Sequence, residues 1–218
     1  IARRQRQMCI RDSRTTLYDS WPGPGDGRPF VAMANVGLFT MAEQTVLVPD
    51  LLVSLDVRAP DDPFPKINRS YFVWNYGKPP DVVVEIVSNA KGGELGNKLL
   101  DYARMGVAYY VVYDPEGHIS DPPLRIFTRQ ATSFVETTDH WLHGIGLGLA
   151  LWEGVYEDVS GVWLRWCNQD GSLLLTGQES TVIVRERVEQ ERQRADLERE
   201  RAEKLAAKLR ALGIDPDA

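Results

Sequence analysis

Three residues of the chain could do chemistry together: Asp50, Glu85 and Lys98. Glu85 interrupts the apolar run Asp81-Val82-Val83-Val84-Glu85-Ile86-Val87-Ser88, and Asp50 interrupts a second one, from Val46 to Asp56. A carboxylate in such a run is costly unless it is paired, protonated or bound to a cation. Two carboxylates on neighbouring strands could hold a divalent cation between them, and oxygen ligands suit Mg²⁺ (or Mn²⁺). A cation held there would lower the pKa of a water and stabilise charge on a phosphoryl oxygen. The ammonium of Lys98 would orient that water or offset transition-state charge. This reading makes Asp50, Glu85 and Lys98 catalytic, the two acids being the metal ligands. The competing reading is structural: Glu85 and Lys98 form a buried ion pair and do nothing else.

The elements that must position these residues follow from the flanking pattern. The β-branched run around Glu85 reads as a strand buried on both faces, as at the centre of an α/β sheet. A Gly-broken loop, Asn89 to Gly93, follows it, then a helix-like stretch from Glu94 to Gly106. Ala108-Tyr109-Tyr110-Val111-Val112-Tyr113-Asp114 is the next apolar run, so the unit is strand, helix, strand. Pro49 suggests that the Asp50 strand is an edge or carries a bulge. Leu124–Thr128 and Ser133–Glu136 read as a hairpin, and Leu147–Trp152 and Val162–Cys167 as further strands. Asp170-Gly171 is a hairpin-type turn. Phe30 to Met41 reads equally as helix or strand.

Both ends of the chain differ from this middle. Residues 1–13, IARRQRQMCIRDS, show neither helical nor strand period and are expected to be disordered or non-native, outside the fold. From about Glu179 the composition shifts to Glu, Arg, Gln, Ala and Leu. Val188, Ala195, Ala202 and Leu209 fall seven apart, but Glu191 and Glu198 occupy the other seam position, so the seam is poor. A charged helical or coiled-coil tail over 179–218 is expected, ended by Gly213 and Pro216. The domain between the ends covers 14–178.

Charge and composition bound the function. The formal net charge is −6, and residues 15–178 hold about eleven basic against twenty acidic residues. Binding of nucleic acid by general phosphate neutralisation is therefore disfavoured, whereas a local basic patch is not. The only cysteines are Cys9 and Cys167, which predicts no disulfide framework and fits a cytoplasmic location. No apolar run is long enough for a membrane span. His140 and His143 lack further ligands for a zinc site. Ser88 lacks a nucleophile-elbow frame, and the loop Trp21–Pro29 lacks a P-loop ending.

The ordered series Val48-Pro49-Asp50-Leu51-Leu52-Val53, Pro79-Pro80-Asp81-Val82-Val83-Val84-Glu85-Ile86-Val87-Ser88, Gly96-Asn97-Lys98, Tyr102-Ala103-Arg104-Met105-Gly106-Val107 and Tyr109-Tyr110-Val111-Val112-Tyr113-Asp114-Pro115 resembles the Uma-type restriction endonucleases of the PD-(D/E)XK nuclease superfamily. The resemblance spans roughly Val46 to Thr176. It implies an α/β, restriction-endonuclease-like core, a mixed central β-sheet flanked by helices, to which the C-terminal charged helix is an addition. It also implies that Asp50 is the Pro-Asp acid and Glu85 the second acid. The superfamily's lysine stands two residues after that acid, at Val87 here; the Uma-type pattern moves it to the next helix, where Lys98 matches. Glu94 stands where the family usually has Asp, four residues before the lysine on the same helix face, and the resemblance implies that it supports the site from behind the two acids. Ser88-Asn89-Ala90-Lys91 departs from the family's usual Ser-Pro-Ser-Thr, and its N-terminal helices are not recognisable.

The expected function is thus a Mg-dependent endonuclease that hydrolyses phosphodiester bonds of nucleic acid, DNA before RNA. The alternative is a catalytically degenerate nuclease-fold module that recruits a protein partner, or a second copy, through its C-terminal helix.

Overall fold

The computed structural model describes residues 2–40, 46–60, 62, 65 and 69–211. It divides into two compact units, Ile1–Thr176 and Gly177–Ala218.

The strand around Glu85 is β5 (Val82–Ile86), and all five of its residues are buried. It pairs in parallel with β6 (Tyr109–Tyr113), placing Val84 beside Val111 and Glu85 beside Val112. Parallel neighbours need a crossover, and α3 (Asn97–Met105) supplies it. Gly106 ends α3 in the left-handed conformation, φ 94°, and Val107 N–H returns to the Tyr102 carbonyl. Only glycine adopts that conformation without strain, so the helix stops there and the chain turns into β6.

β3 (Leu51–Leu55) flanks β5 on its other side, antiparallel, with Leu51 opposite Val84. β1 (Phe30–Ala34) pairs outside β3, so the expected edge strand is an interior one. Pro49 precedes the strand and withholds no ladder hydrogen bond from it. β7 (Leu124–Gln130) and β8 (Ser133–Thr137) complete a mixed six-stranded sheet in the order β1-β3-β5-β6-β7-β8. Of the Phe30–Met41 segment, the described residues hold two strands and no helix: β1, then the short β2 (Leu38–Phe39), which pairs with β4 (Tyr71–Phe72) ahead of the one-turn α2 (Val73–Tyr76). The Pro-rich loop expected from Arg58 to Arg69 falls in part outside the described residues.

Alternation along the strands sends side chains to two cores. Leu51, Val53, Val82, Val84, Ile86 and Val111 lie in one, under a second sheet. That sheet is β9 (Trp141–Leu142), β10 (Leu147–Tyr156) and β11 (Val159–Cys167). Glu157 and Asp158, both at positive φ, make the two-residue turn between β10 and β11, and Trp163 and Trp166 are buried in the layer. Leu52, Val83, Val112 and Tyr110 lie in the other core, beneath Tyr102 of α3. Glu85 projects to this α3 side, the face opposite Val84 and Ile86. The described structure is thus a mixed α/β fold of the restriction-endonuclease-like kind.

Residues 2–13, expected outside the fold, form the first part of helix α1 (Ala2–Ser20). Met8, Cys9 and Ile10 are buried, Trp166 Nε1 donates to the Ser13 carbonyl at 3.1 Å, and Asp12 faces the buried Arg165 at 3.6 Å. The helical period was hidden because polar Asp12, Ser13 and Thr16 occupy core-facing positions of this helix. Further along, the Tyr18 hydroxyl accepts from Ala32 N–H at 2.9 Å and so covers an outward group of edge strand β1. Cys9 and Cys167 are free and buried.

The second unit is α4 (Gly177–Ala211), a helix of 35 residues. It is solvated along nearly its whole length and laced by i,i+4 pairs such as Arg194–Glu198 and Lys204–Glu200. Gly213 and Pro216, expected to end it, lie outside the described residues. Among the described residues no helix is long and apolar enough to cross a membrane.

Candidate functional site

Asp50, Glu85 and Lys98 are brought together, along with three residues the sequence did not single out in the same way. Asp50 directly precedes β3 and is fully buried. Its Oδ2 accepts the Ile86 N–H at 2.7 Å, so its carboxylate lies beside the backbone that carries Glu85. Glu85, 1 % exposed, receives two donors from α3: Lys98 Nζ at 2.9 Å on Oε2 and the Tyr102 hydroxyl at 2.7 Å on Oε1. Lys98 and Tyr102 stand four residues apart, so one helix face presents both to the strand.

Glu94 is close as well, but not from the helix expected to carry it. It sits in the turn before α3, with Lys98 Nζ 3.3 Å from its Oε1. That turn is pinned by the Tyr110 hydroxyl, which donates to the Glu94 carbonyl at 2.9 Å. The chain is tight here: a Cβ at Gly92 would overlap the Glu94 carboxylate. Glu94 is 7 % exposed, and its Oε2 is buried without a hydrogen-bond partner. A buried carboxylate oxygen left so is costly, and it is the kind of donor a hard cation seeks.

The second cation of the site is Arg6 of α1. Its Nε and Nη2 engage both oxygens of Asp50, at 3.0 and 2.5 Å. This planar, two-point contact is the strong form of an arginine–carboxylate pair. Arg6 fell within the segment set aside as outside the fold, and no local pattern marked it. Tyr102 had a signal: 94, 98 and 102 repeat at four-residue spacing. The Ser88 hydroxyl accepts from Asn89 Nδ2 at 3.4 Å, and His143 pairs with Asp139 at 2.8 Å on the surface.

The electrostatics follow from three buried acids facing two bases. Burial pushes Glu85 up to about 7; Lys98 pulls it down, and the nearby Asp50 charge pushes it further up. Burial alone would lower Lys98, but the Glu85 and Glu94 carboxylates outweigh it and hold the ammonium above its ordinary value. Burial and the Glu85 charge drive the Tyr102 hydroxyl far up, so it remains a donor at any working pH. Among the described residues, no three acidic, histidine or cysteine side chains stand ready as a metal cluster. The carboxylates that meet here are Asp50 and Glu85, each with both oxygens already engaged, and Glu94, one oxygen of which has no partner.

An acid ahead of one central strand, an acid within the next and a lysine on the crossover helix form an arrangement suited to hydrolysis at a phosphoryl centre. The sequence profile of the Uma2 family, described as putative restriction endonuclease, matches residues 14–150. No curated protein matches the chain. The match spans β1 to β8, both acids, the lysine and the crossover helix, well over half of the sequence, and on that ground the chain belongs to the Uma2 family of putative restriction endonucleases.

Proposed function

We propose that this protein is a divalent-cation-dependent endonuclease that cleaves phosphodiester bonds of DNA at the Asp50–Glu85–Lys98 cluster. The observation that carries the reading is the convergence of two buried carboxylates and one partly exposed ammonium on a single strand–helix–strand unit in a chain of this family. The donor set fits Mg²⁺ or Mn²⁺: it consists of carboxylate oxygens, and one of those nearby lacks any partner. Asp50 and Glu85 would hold the cation, and Glu94 stands behind them. When bound, the cation supplies an activated water and stabilises negative charge on the phosphoryl oxygens.

The chain's own residues do the rest. Tyr102 holds one oxygen of Glu85 and so turns the other toward Lys98. The Ile86 N–H fixes the Asp50 carboxylate beside that strand. Lys98, a quarter exposed, has an ammonium that can leave Glu85 and follow charge that develops on the phosphate. Glu85, near 7, must be ionised to act as a ligand, so the site gains competence as pH rises through that value.

One observation favours a second reading, a non-catalytic module of the same fold. Both oxygens of Asp50 are already taken by Arg6, as Lys98 takes Glu85. Titration calorimetry with Mn²⁺ on the full chain, beside plasmid nicking, separates the two. The nuclease reading expects binding and nicking by the parent, and loss of both in Glu85→Gln and Asp50→Asn. A parent that neither binds Mn²⁺ nor nicks DNA under any divalent cation leaves the module reading.

A further inference from the structure

A cavity of about 380 Å³ runs along the outer edge of β1, a size in the range of small-ligand sites. Its polar lining is Arg14 and Tyr18 of α1 and Arg69; the rest is β1 itself and small apolar side chains such as Val36, Ala59 and Pro60. Arg14 is held in place there. Its Nε donates to the Ala32 carbonyl at 3.1 Å, and its guanidinium lies 5.4 Å from the centre of the Tyr18 ring. With Nε so engaged, the two terminal nitrogens remain as donors. Arg69 is exposed. Among the described residues no carboxylate lines the cavity, and neither arginine is paired with one. In a chain of net charge −6 this is a local exception, and two cations without an acid select an anion. The apolar lining selects an anion that also carries an apolar body.

The cavity also lies at the right end of the sheet. It reaches Val36, just past the C-terminal end of β1. Ala34 there pairs with Leu51, and the Asn35 N–H donates to the Asp50 carbonyl at 3.2 Å. Neighbouring strands stand about 5 Å apart, so the outer side of β1 is on the order of 10 Å from Asp50. A strand of duplex DNA covers that span in about three nucleotides, at about 3.4 Å each. We propose that this cavity seats a nucleotide of a DNA strand a few positions from the bond cut at the cluster, with its phosphate held by Arg14 and Arg69 and its sugar and base against Val36 and Pro60. The choice of an anion follows from the lining alone; the choice of DNA rests on the nuclease reading. An acidic peptide would satisfy the arginines equally, and it is the neighbouring phosphoryl chemistry that favours the nucleotide.

The test is fluorescence anisotropy of labelled single-stranded and duplex DNA with the full chain, in EDTA so that nothing is cut, from low to physiological salt. Arg69→Ala should weaken binding about fivefold and reduce the slope of log K against log salt by about 1, the signature of one lost phosphate contact. Arg14→Ala should do the same, but it also uncovers the Ala32 carbonyl, so Arg69→Ala carries the test. Ala59→Trp fills the cavity and should weaken binding although no charge is lost. Arg187→Ala, which removes a charge from α4 instead, should leave the affinity within about twofold. A parent that binds no DNA at low salt, an Arg69→Ala variant with the parent's affinity and slope, or an equal loss in Arg187→Ala would each overturn the proposal. The nuclease reading is decided separately, by Mn²⁺ binding and nicking. A chain that binds DNA through Arg69 but neither binds Mn²⁺ nor nicks loses that reading and keeps this one. A chain that nicks, with Arg69→Ala binding DNA as the parent does, loses this one alone.

Discussion

Removal of Lys98 should cost stability in a manner that depends steeply on pH. Glu85 is 1 % exposed and Lys98 Nζ lies 2.9 Å from it. Stripping one partner from a buried pair commonly costs about 3–5 kcal/mol, because the other is left charged and unpaired. Here the acid has an escape. Burial already pushes Glu85 up to about 7, so protonation near neutral pH is easy. Lys98 is what holds it down to that value, and Lys98→Met keeps the side-chain volume but removes the restraint. Glu85 in the variant then stays protonated in the folded state well above pH 7, while it ionises in the unfolded chain near its ordinary value. The folded state holds one proton more than the unfolded state, so stability falls by about 1.4 kcal/mol per pH unit. In the parent this fall ends near pH 7, where Glu85 ionises in the folded state as well. Below pH 6 the two proteins should differ by about 1 kcal/mol, the worth of one hydrogen bond. By pH 9 the gap should widen to about 3–4 kcal/mol. Urea melts of parent and variant at pH 6, 7, 8 and 9 measure it. A gap that stays constant across this range would refute the reasoning, since it would mean that Glu85 does not take up a proton when its partner is lost. Under the nuclease reading, saturating Mg²⁺ should flatten the slope of the variant by neutralising Glu85 in place of the lysine.

The other expectations are simpler. Glu85→Gln should keep the fold, because Gln is nearly isosteric and Tyr102 can still donate to it, and should abolish Mn²⁺ binding; calorimetry showing unchanged affinity would remove Glu85 from the metal site. Arg6→Gln frees the Asp50 carboxylate, so Mn²⁺ should bind about tenfold tighter, a difference of about 1.4 kcal/mol, while stability drops by about 1–3 kcal/mol for the lost buried pair; weaker Mn²⁺ binding would mean that Arg6 supports the site instead of competing for it. Gly92→Ala should push the Glu94 carboxylate off Lys98 at a cost near 1 kcal/mol, because a side-chain end can give way where backbone cannot; a loss above about 3 kcal/mol in a thermal melt would show that the turn itself is held rigid. Mn²⁺ affinity in the parent should rise from pH 6 to pH 8 as Glu85 loses its proton; an affinity flat over that range would separate Glu85 ionisation from cation binding.

The strand–helix–strand unit was legible because its signals are local. Val82 to Ile86 is β-branched throughout except at Glu85, and Gly106 ends α3 by a backbone conformation that glycine alone adopts freely. The same locality made Asp50 and Glu85 visible, since a charge in an apolar run is anomalous wherever the run ends up, and Lys98 followed from its place on the helix after the Glu85 strand. Four-residue spacing likewise tied Glu94 to Lys98, although Glu94 proved to sit in a turn ahead of the helix. What only the tertiary structure decided is what closes the site from a distance. Arg6 stands 44 residues from Asp50 on a helix whose core-facing positions include Asp12, Ser13 and Thr16. No period in that segment distinguishes it from a solvated tail, because those polar groups are satisfied by contacts such as Trp166 with Ser13 and Arg165 with Asp12, far away in the chain. The placement of β3 inside the sheet was hidden for the same reason: it depends on β1 arriving as its second neighbour on the far side from β5, and a strand's sequence records which faces are buried but not which partners hydrogen-bond to its edges.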